Sequence, residues 1–154
     1  MAINRRVMAL PADQVWDALS DGYTYSDWVV GTRKIRDVDD TFPAKGSRLH
    51  YTIGHFPLRH DSHTEVLDVD PSERRLDLAI NSQPAGRFRV VLNVTPQSER
   101  TSLVEIDEKP LDGIVKVLHN PLFDLVIKVR NVETLRRLER VSESRGATLH
   151  PAQR

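Results

Sequence analysis

Cysteine is absent from the 154-residue chain. That excludes disulfides, cysteine-ligated zinc, iron–sulfur clusters and thiol catalysis together. Glycine is scarce, with 7 residues in all, and neither a phosphate-binding loop, a dinucleotide fingerprint nor a nucleophile elbow is found. No apolar run approaches the ~20 residues a membrane span needs, so stable membrane insertion is not expected. An excess of charge of either sign is missing too. The 22 Lys and Arg balance the 22 Asp and Glu, which leaves no basic field for nucleic acid and no acidic tail. Met1 to Leu10 carries Arg5 and Arg6 in a mixed stretch and lacks the apolar centre of a secretory signal, so a cytoplasmic location is expected.

What is present is a chain 39% hydrophobic and 29% charged, the length of one domain and long enough to bury a core. The pattern predicts a single domain over residues 1–146 and a flexible tail over 147–154. Ala2 to Leu10 reads as a strand with Ile3, Val7 and Met8 as its apolar points, ended by Pro11. Pro11-Ala12-Asp13 opens a short helix, because proline fits the first turn and an acid suits the positive helix end; Val15, Trp16 and Leu19 share its apolar face and Gly22 stops it. Tyr25 to Val30 is a second short helical segment closed by Gly31.

The period then changes to two. Strands are predicted over Arg33–Val38, Ser47–Gly54, Leu58–Val69, Arg74–Asn81, Arg87–Thr95 and Thr101–Lys109, separated by turns at Pro43-Ala44-Lys45-Gly46, Pro57, Asp70-Pro71, Pro84-Ala85-Gly86 and Pro96–Arg100. Connections this short join antiparallel neighbours. Asn120-Pro121 reads as a capped helix start, and the helix runs to about Ser144, with Gly146 as its stop. The fold class is α+β: a curved antiparallel sheet of about seven strands, whose apolar face the C-terminal helix must cover because nothing else in the chain can.

That helix is apolar on two sides in its first half. Phe123, Ile127, Asn131, Leu135, Leu138 and Val141 lie on the broad face that meets the sheet, while Leu122, Leu125, Val126 and Val129 lie opposite. The second strip is covered by the 111–119 loop, by a homodimer or other partner contact, or by contact with a membrane surface. Arg130, Glu133, Arg136, Arg137, Glu139, Arg140 and Glu143 read as its solvated charges.

Several strings resemble the helix-grip, or SRPBCC, superfamily of START lipid-transfer domains, birch-pollen-allergen-like proteins and bacterial polyketide cyclase/dehydrase proteins. They are Leu10-Pro11-Ala12-Asp13-Gln14-Val15-Trp16-Asp17-Ala18-Leu19, Tyr25-Ser26-Asp27-Trp28, Lys45-Gly46-Ser47, Val69-Asp70-Pro71-Ser72-Glu73-Arg74-Arg75-Leu76 and Asn131-Val132-Glu133-Thr134-Leu135-Arg136-Arg137-Leu138. The resemblance implies a helix-grip fold with a cavity between sheet and helix. Its lining, carried over by position, would be Trp28, Val29, Tyr51, Phe88, Val90, Leu92, Val104, Ile106, Glu108, Phe123, Ile127 and Asn131. The residue faces agree for the last strand and the helix; the inward face of the 58–69 strand stays open.

Glu108 shares a face with Val104 and Ile106. It is either a strand-end acid paired with an arginine or a polar group of the cavity. Asn131 binds either a backbone carbonyl or a ligand. His55, His60 and His63 near Asp61 and Glu65 read as a solvated strand face, and neither a metal nor another cofactor is expected. The expected function is binding of a small hydrophobic or aromatic ligand, lipid-, polyketide- or isoprenoid-like. One alternative is a cyclase, aromatase or dehydratase using His50, Tyr51, Glu108 and Asn131; the other is an interaction protein with a closed cavity.

Overall fold

The described residues of the protein, in a computed structural model, are 2–54, 57–82, 86–113 and 121–149. They form β1 (Ala2–Met8), α1 (Ala12–Ser20), a 3-10 turn at Gly22–Thr24, α2 (Tyr25–Trp28), β2 (Thr32–Val38), β3 (Arg48–Ile53), β4 (His60–Asp70), β5 (Arg75–Ser82), β6 (Gly86–Pro96), β7 (Ser102–Asp112) and α3 (Pro121–Leu149). The seven strands make one antiparallel sheet in the order β1-β7-β6-β5-β4-β3-β2. Six consecutive hairpin neighbours build the sheet, and β1 closes onto β7. The long helix α3 lies against the face that carries the alternating apolar residues, which is the helix-grip arrangement.

Register settles which side chains look at the helix. Leu78 pairs with Val90 and Leu76 with Leu92, Leu92 with Ile106 and Val94 with Val104, and all of these are buried. Their neighbours one residue along point outward, the period of two that a half-covered sheet requires. On β4 the inward residues are Ser62, Thr64 and Val66, and the outward ones Asp61, His63 and Glu65. The outer face carries ion pairs such as Arg89 with Asp77 and Arg36 with Asp61.

Of the three apolar points expected on β1, Met8 is buried as expected and the other two are reversed. Ile3 and Val7 are exposed, while Ala2 and Met8 are buried with Asn4 and Arg6 on the same side. β1 is an edge strand that runs beside α3, and its inward polar groups meet the helix itself: Asn4 Nδ2 donates to the Lys128 carbonyl at 3.1 Å and Arg6 Nε to Glu139 at 2.6 Å. Polar pairing with a helix flank replaces apolar burial there.

Gly146 does not stop α3, which continues to Leu149. A Cβ at Gly146 would stand 2.1 Å from Gln14 Nε2, and that amide donates to the Ser142 carbonyl at 2.7 Å. The glycine admits α1 close to α3 instead of ending the helix. The Asn120 cap and most of the 111–119 loop lie outside the described residues. Leu122, Leu125, Val126 and Val129 are all exposed.

Candidate functional site

α1 packs against α3 and β6, and the short α2 packs against α3 and β2. α2 is a single turn held by side-chain bonds that follow from its sequence. Tyr25 Oη donates to the Leu19 carbonyl at 2.7 Å, Trp28 Nε1 donates to Thr24 Oγ1 at 3.1 Å, and Thr24 Oγ1 donates to the Ala18 carbonyl at 2.9 Å. The Tyr25 and Trp28 rings lie 4.5 Å apart. Two rigid aromatics with their polar atoms already paired make a wall rather than a plug. Burial pushes the Tyr25 hydroxyl pKa far up, with the Asp21 charge adding to it.

Between this wall, the sheet and α3 lies a cavity of about 330 Å³, within the ~300–1,000 Å³ range of small-molecule sites. Its apolar lining includes Trp28, Leu78, Ile80, Val90, Leu92 and Ile106. The polar lining is concentrated in a few groups: Tyr51 and Thr64 on the sheet, and Glu108, Arg130 and Asn131 where β7 meets α3.

Glu108 is buried, between Val90 on β6 and Ala2 on β1. Such a carboxylate needs partners, and it has two. Arg130 Nη2 donates to Glu108 Oε2 at 2.5 Å and Asn131 Nδ2 donates to the same oxygen at 3.2 Å. Asn131 is fully buried, and its amide binds the glutamate carboxylate, a partner other than the backbone carbonyl or the ligand expected from the sequence. Arg130 Nε is buried and makes no hydrogen bond. Across the cavity, Tyr51 Oη and Thr64 Oγ1 are 3.0 Å apart. Burial raises the Tyr51 pKa, against opposing contributions from its hydrogen bonds to Thr64 and Ser62 and from the Arg130 charge. The hydroxyl therefore stays protonated and can serve as a donor.

Of the residues expected at the cavity, the structure brings Trp28, Val29, Tyr51, Val90, Leu92, Ile106, Glu108 and Asn131 together around it. Phe88, Val104, Phe123 and Ile127 are not part of its wall. Val104 is packed against Val94 in the solid part of the core. Phe88 and Phe123 stack on each other with ring centroids 6.5 Å apart. Ile127 is buried one helical turn before the cavity, which lies under the turn from Arg130 to Thr134. His50 is on the outer face beside Asp39, at 3.4 Å, and does not line the cavity.

Arg130, Thr64 and His60 are lining residues that the sequence reading passed over. Arg130 was grouped with the solvated charges of the helix. The signal that pointed to it was Glu108 itself, an acid on an apolar strand face that calls for a cation. His60 turns inward while Asp61 and His63 turn outward, and His55 lies outside the described residues. Among the described residues no three His, Asp or Glu side chains gather as a metal would require, and no helix is long and apolar enough to cross a membrane.

Residues 4–143 match the family model described as polyketide cyclase / dehydrase and lipid transport. Solved structures of similar fold include a conserved protein from Geobacillus kaustophilus, with a TM-score of 0.71 and 14% identity over 92% of this chain and 94% of that one. The Zhui aromatase/cyclase from Streptomyces sp. R1128 gives a TM-score of 0.69 and 16% identity over 94% and 93%. A START superfamily protein from Mycobacterium smegmatis gives 0.65 and 17% over 96% and 97%. Identities this low establish likeness of fold alone. No curated protein matches the chain.

Proposed function

The chain belongs to the polyketide cyclase / dehydrase and lipid transport family, and from that premise we propose that it binds a small, mainly apolar molecule, lipid-, polyketide- or isoprenoid-like, in the cavity between sheet and helix. The observation that carries this is the void itself: about 330 Å³ bounded by Trp28, Leu78, Val90 and Ile106. Apolar walls attract apolar surface at roughly 25 cal/mol per Å² buried, and the few polar groups fix orientation. Among the described residues a nucleotide finds one arginine there, already paired with Glu108.

A neutral fluorescent naphthylamine probe tests the reading. Wild-type protein binds it saturably at one site, and Leu78→Trp, which fills the void with an indole, weakens binding at least tenfold while the circular dichroism spectrum stays unchanged. Absence of saturable binding by the wild type overturns the reading.

An enzyme acting on a bound polyketide chain is the second reading, supported by Tyr51 and His60 in the same cavity. Acid–base catalysis asks for groups free to exchange protons at the substrate. Glu108 is committed to Arg130 and Asn131, and this favours holding a ligand over transforming it.

A further inference from the structure

Among the described residues, the Asp, Glu, Lys and Arg side chains of the cavity wall are one arginine and one glutamate, and their charges neutralise each other. Arg130 and Glu108 are joined at 2.5 Å, Asn131 braces the same carboxylate oxygen, and the polar lining beyond them includes the hydroxyls of Tyr51, Thr64 and Thr134 and the ring of His60. The lone negative charge of a carboxylate ligand would enter an apolar space with no unbalanced cation to meet it, next to the carboxylate of Glu108. Unpaired charge in such surroundings is strongly disfavoured. A ligand with no polar atom would leave the exposed edges of the pair without an exchange partner. A hydroxyl group fits this edge best, because it accepts from a guanidinium N–H and donates to a carboxylate oxygen at once.

We propose that the Glu108–Arg130 pair is the polar subsite of the cavity and that it selects an uncharged ligand carrying an alcohol or phenol hydroxyl, discriminating against the corresponding carboxylate. This rests on the reading that the cavity binds a ligand. Asn131 acts here as a positioning residue: with both donors on Oε2, it fixes the carboxylate plane while the other oxygen makes no hydrogen bond among the described residues. The ligand's hydroxyl completes that shell.

Competition with the neutral probe by naphthalene, 2-naphthol and 2-naphthoate at pH 8 tests the subsite. Simple partition out of water favours naphthalene over naphthol, so a polar partner must act for the order to reverse. The wild type binds 2-naphthol at least tenfold more tightly than naphthalene and more tightly than 2-naphthoate. Glu108→Gln, which leaves the Arg130 charge unbalanced, shifts the naphthoate-to-naphthol preference at least tenfold toward naphthoate. Naphthalene binding as tightly as naphthol, naphthoate preferred by the wild type, or an unchanged preference in folded Glu108→Gln overturns the subsite and leaves ligand binding standing. Displacement by none of the three overturns both. If the variant does not fold, the wild-type ranking alone decides.

Discussion

The two halves of α3 cover the same sheet and do opposite things. Under the second half the interface is solid: Leu135, Leu138 and Ser142 are buried against a core that includes Met8, Val15, Leu19, Val94 and Val104. Under the first half it is hollow, and the inward helix positions are Arg130, Asn131 and Thr134. The strands do not make this difference, since apolar residues alternate on β5, β6 and β7 toward both ends. The filler does. α1 brings Val15 and Leu19 to one end and is admitted close to α3 by Gly146, whereas at the other end α2 offers a single turn whose aromatics are tied back to Thr24 and Leu19. A sheet face becomes core or pocket according to what the rest of the chain places above it.

The same truncation made at both ends gives the largest expected effect. Leu135→Ala opens a new void in dense packing and costs about 2–5 kcal/mol. Leu78→Ala enlarges a void that is already there; its side chain lacks partner atoms on the cavity side, so fewer contacts are lost. It should cost at least about 1 kcal/mol less than Leu135→Ala, within the spread known for one deletion at different sites. Urea unfolding of both variants measures this. Equal losses would mean that the cavity end is as tightly packed as the end under Leu135.

Much of this division was legible in the sequence. The strand periods gave every element from β2 to β7 within a few residues, since alternation is a local property that turn residues punctuate. The face shared by Ile106 and Glu108, and the inward position of Asn131, followed from period alone. What escaped was set by partners distant in the chain. The inward Asn4 and Arg6 of β1 make sense only beside α3, the role of Gly146 only beside Gln14, and Arg130 only opposite Glu108. Helical spacing puts Arg130 at the border between the covered and the exposed faces, where a long side chain can turn either way. Phe88 and Phe123 lie outside the cavity wall, two rings on converging faces that stack on each other.

A smaller effect sharpens the contrast between the two faces of the helix's first half. Asn131→Ala removes one of the two donors on the buried Glu108 carboxylate and costs about 1–3 kcal/mol, the penalty of a buried acceptor that loses a partner. Val126, about two-fifths of a turn round from Asn131 toward solvent, is 57% exposed. Val126→Asp therefore changes stability by no more than about 0.5 kcal/mol. The measurement is again urea unfolding, and a large loss for Val126→Asp would show that the outer strip is covered after all.

The smallest effect separates the cavity face of β4 from its outer face by pH. Thr64 points in, and His63 beside it points out, with its ring centroid 6.4 Å from that of His50. The His63 pKa is lowered first by partial burial, then by the charges of Arg48 and His50, with Glu65 opposing. A histidine lowered on folding binds its proton more weakly in the native state than in the unfolded one, whose value is about 6.5. Its contribution to stability is thus fully present above that value and is lost as pH falls through the native one. Between pH 7.5 and pH 5 the wild type should lose more stability than His63→Gln, and the two urea midpoints should draw apart in that window only. Thr64→Val, altered on the cavity side of the same strand, keeps the wild-type pH dependence. If His63→Gln tracked the wild type at both pH values while Thr64→Val did not, the proton-sensitive face of β4 would be the one turned to the cavity.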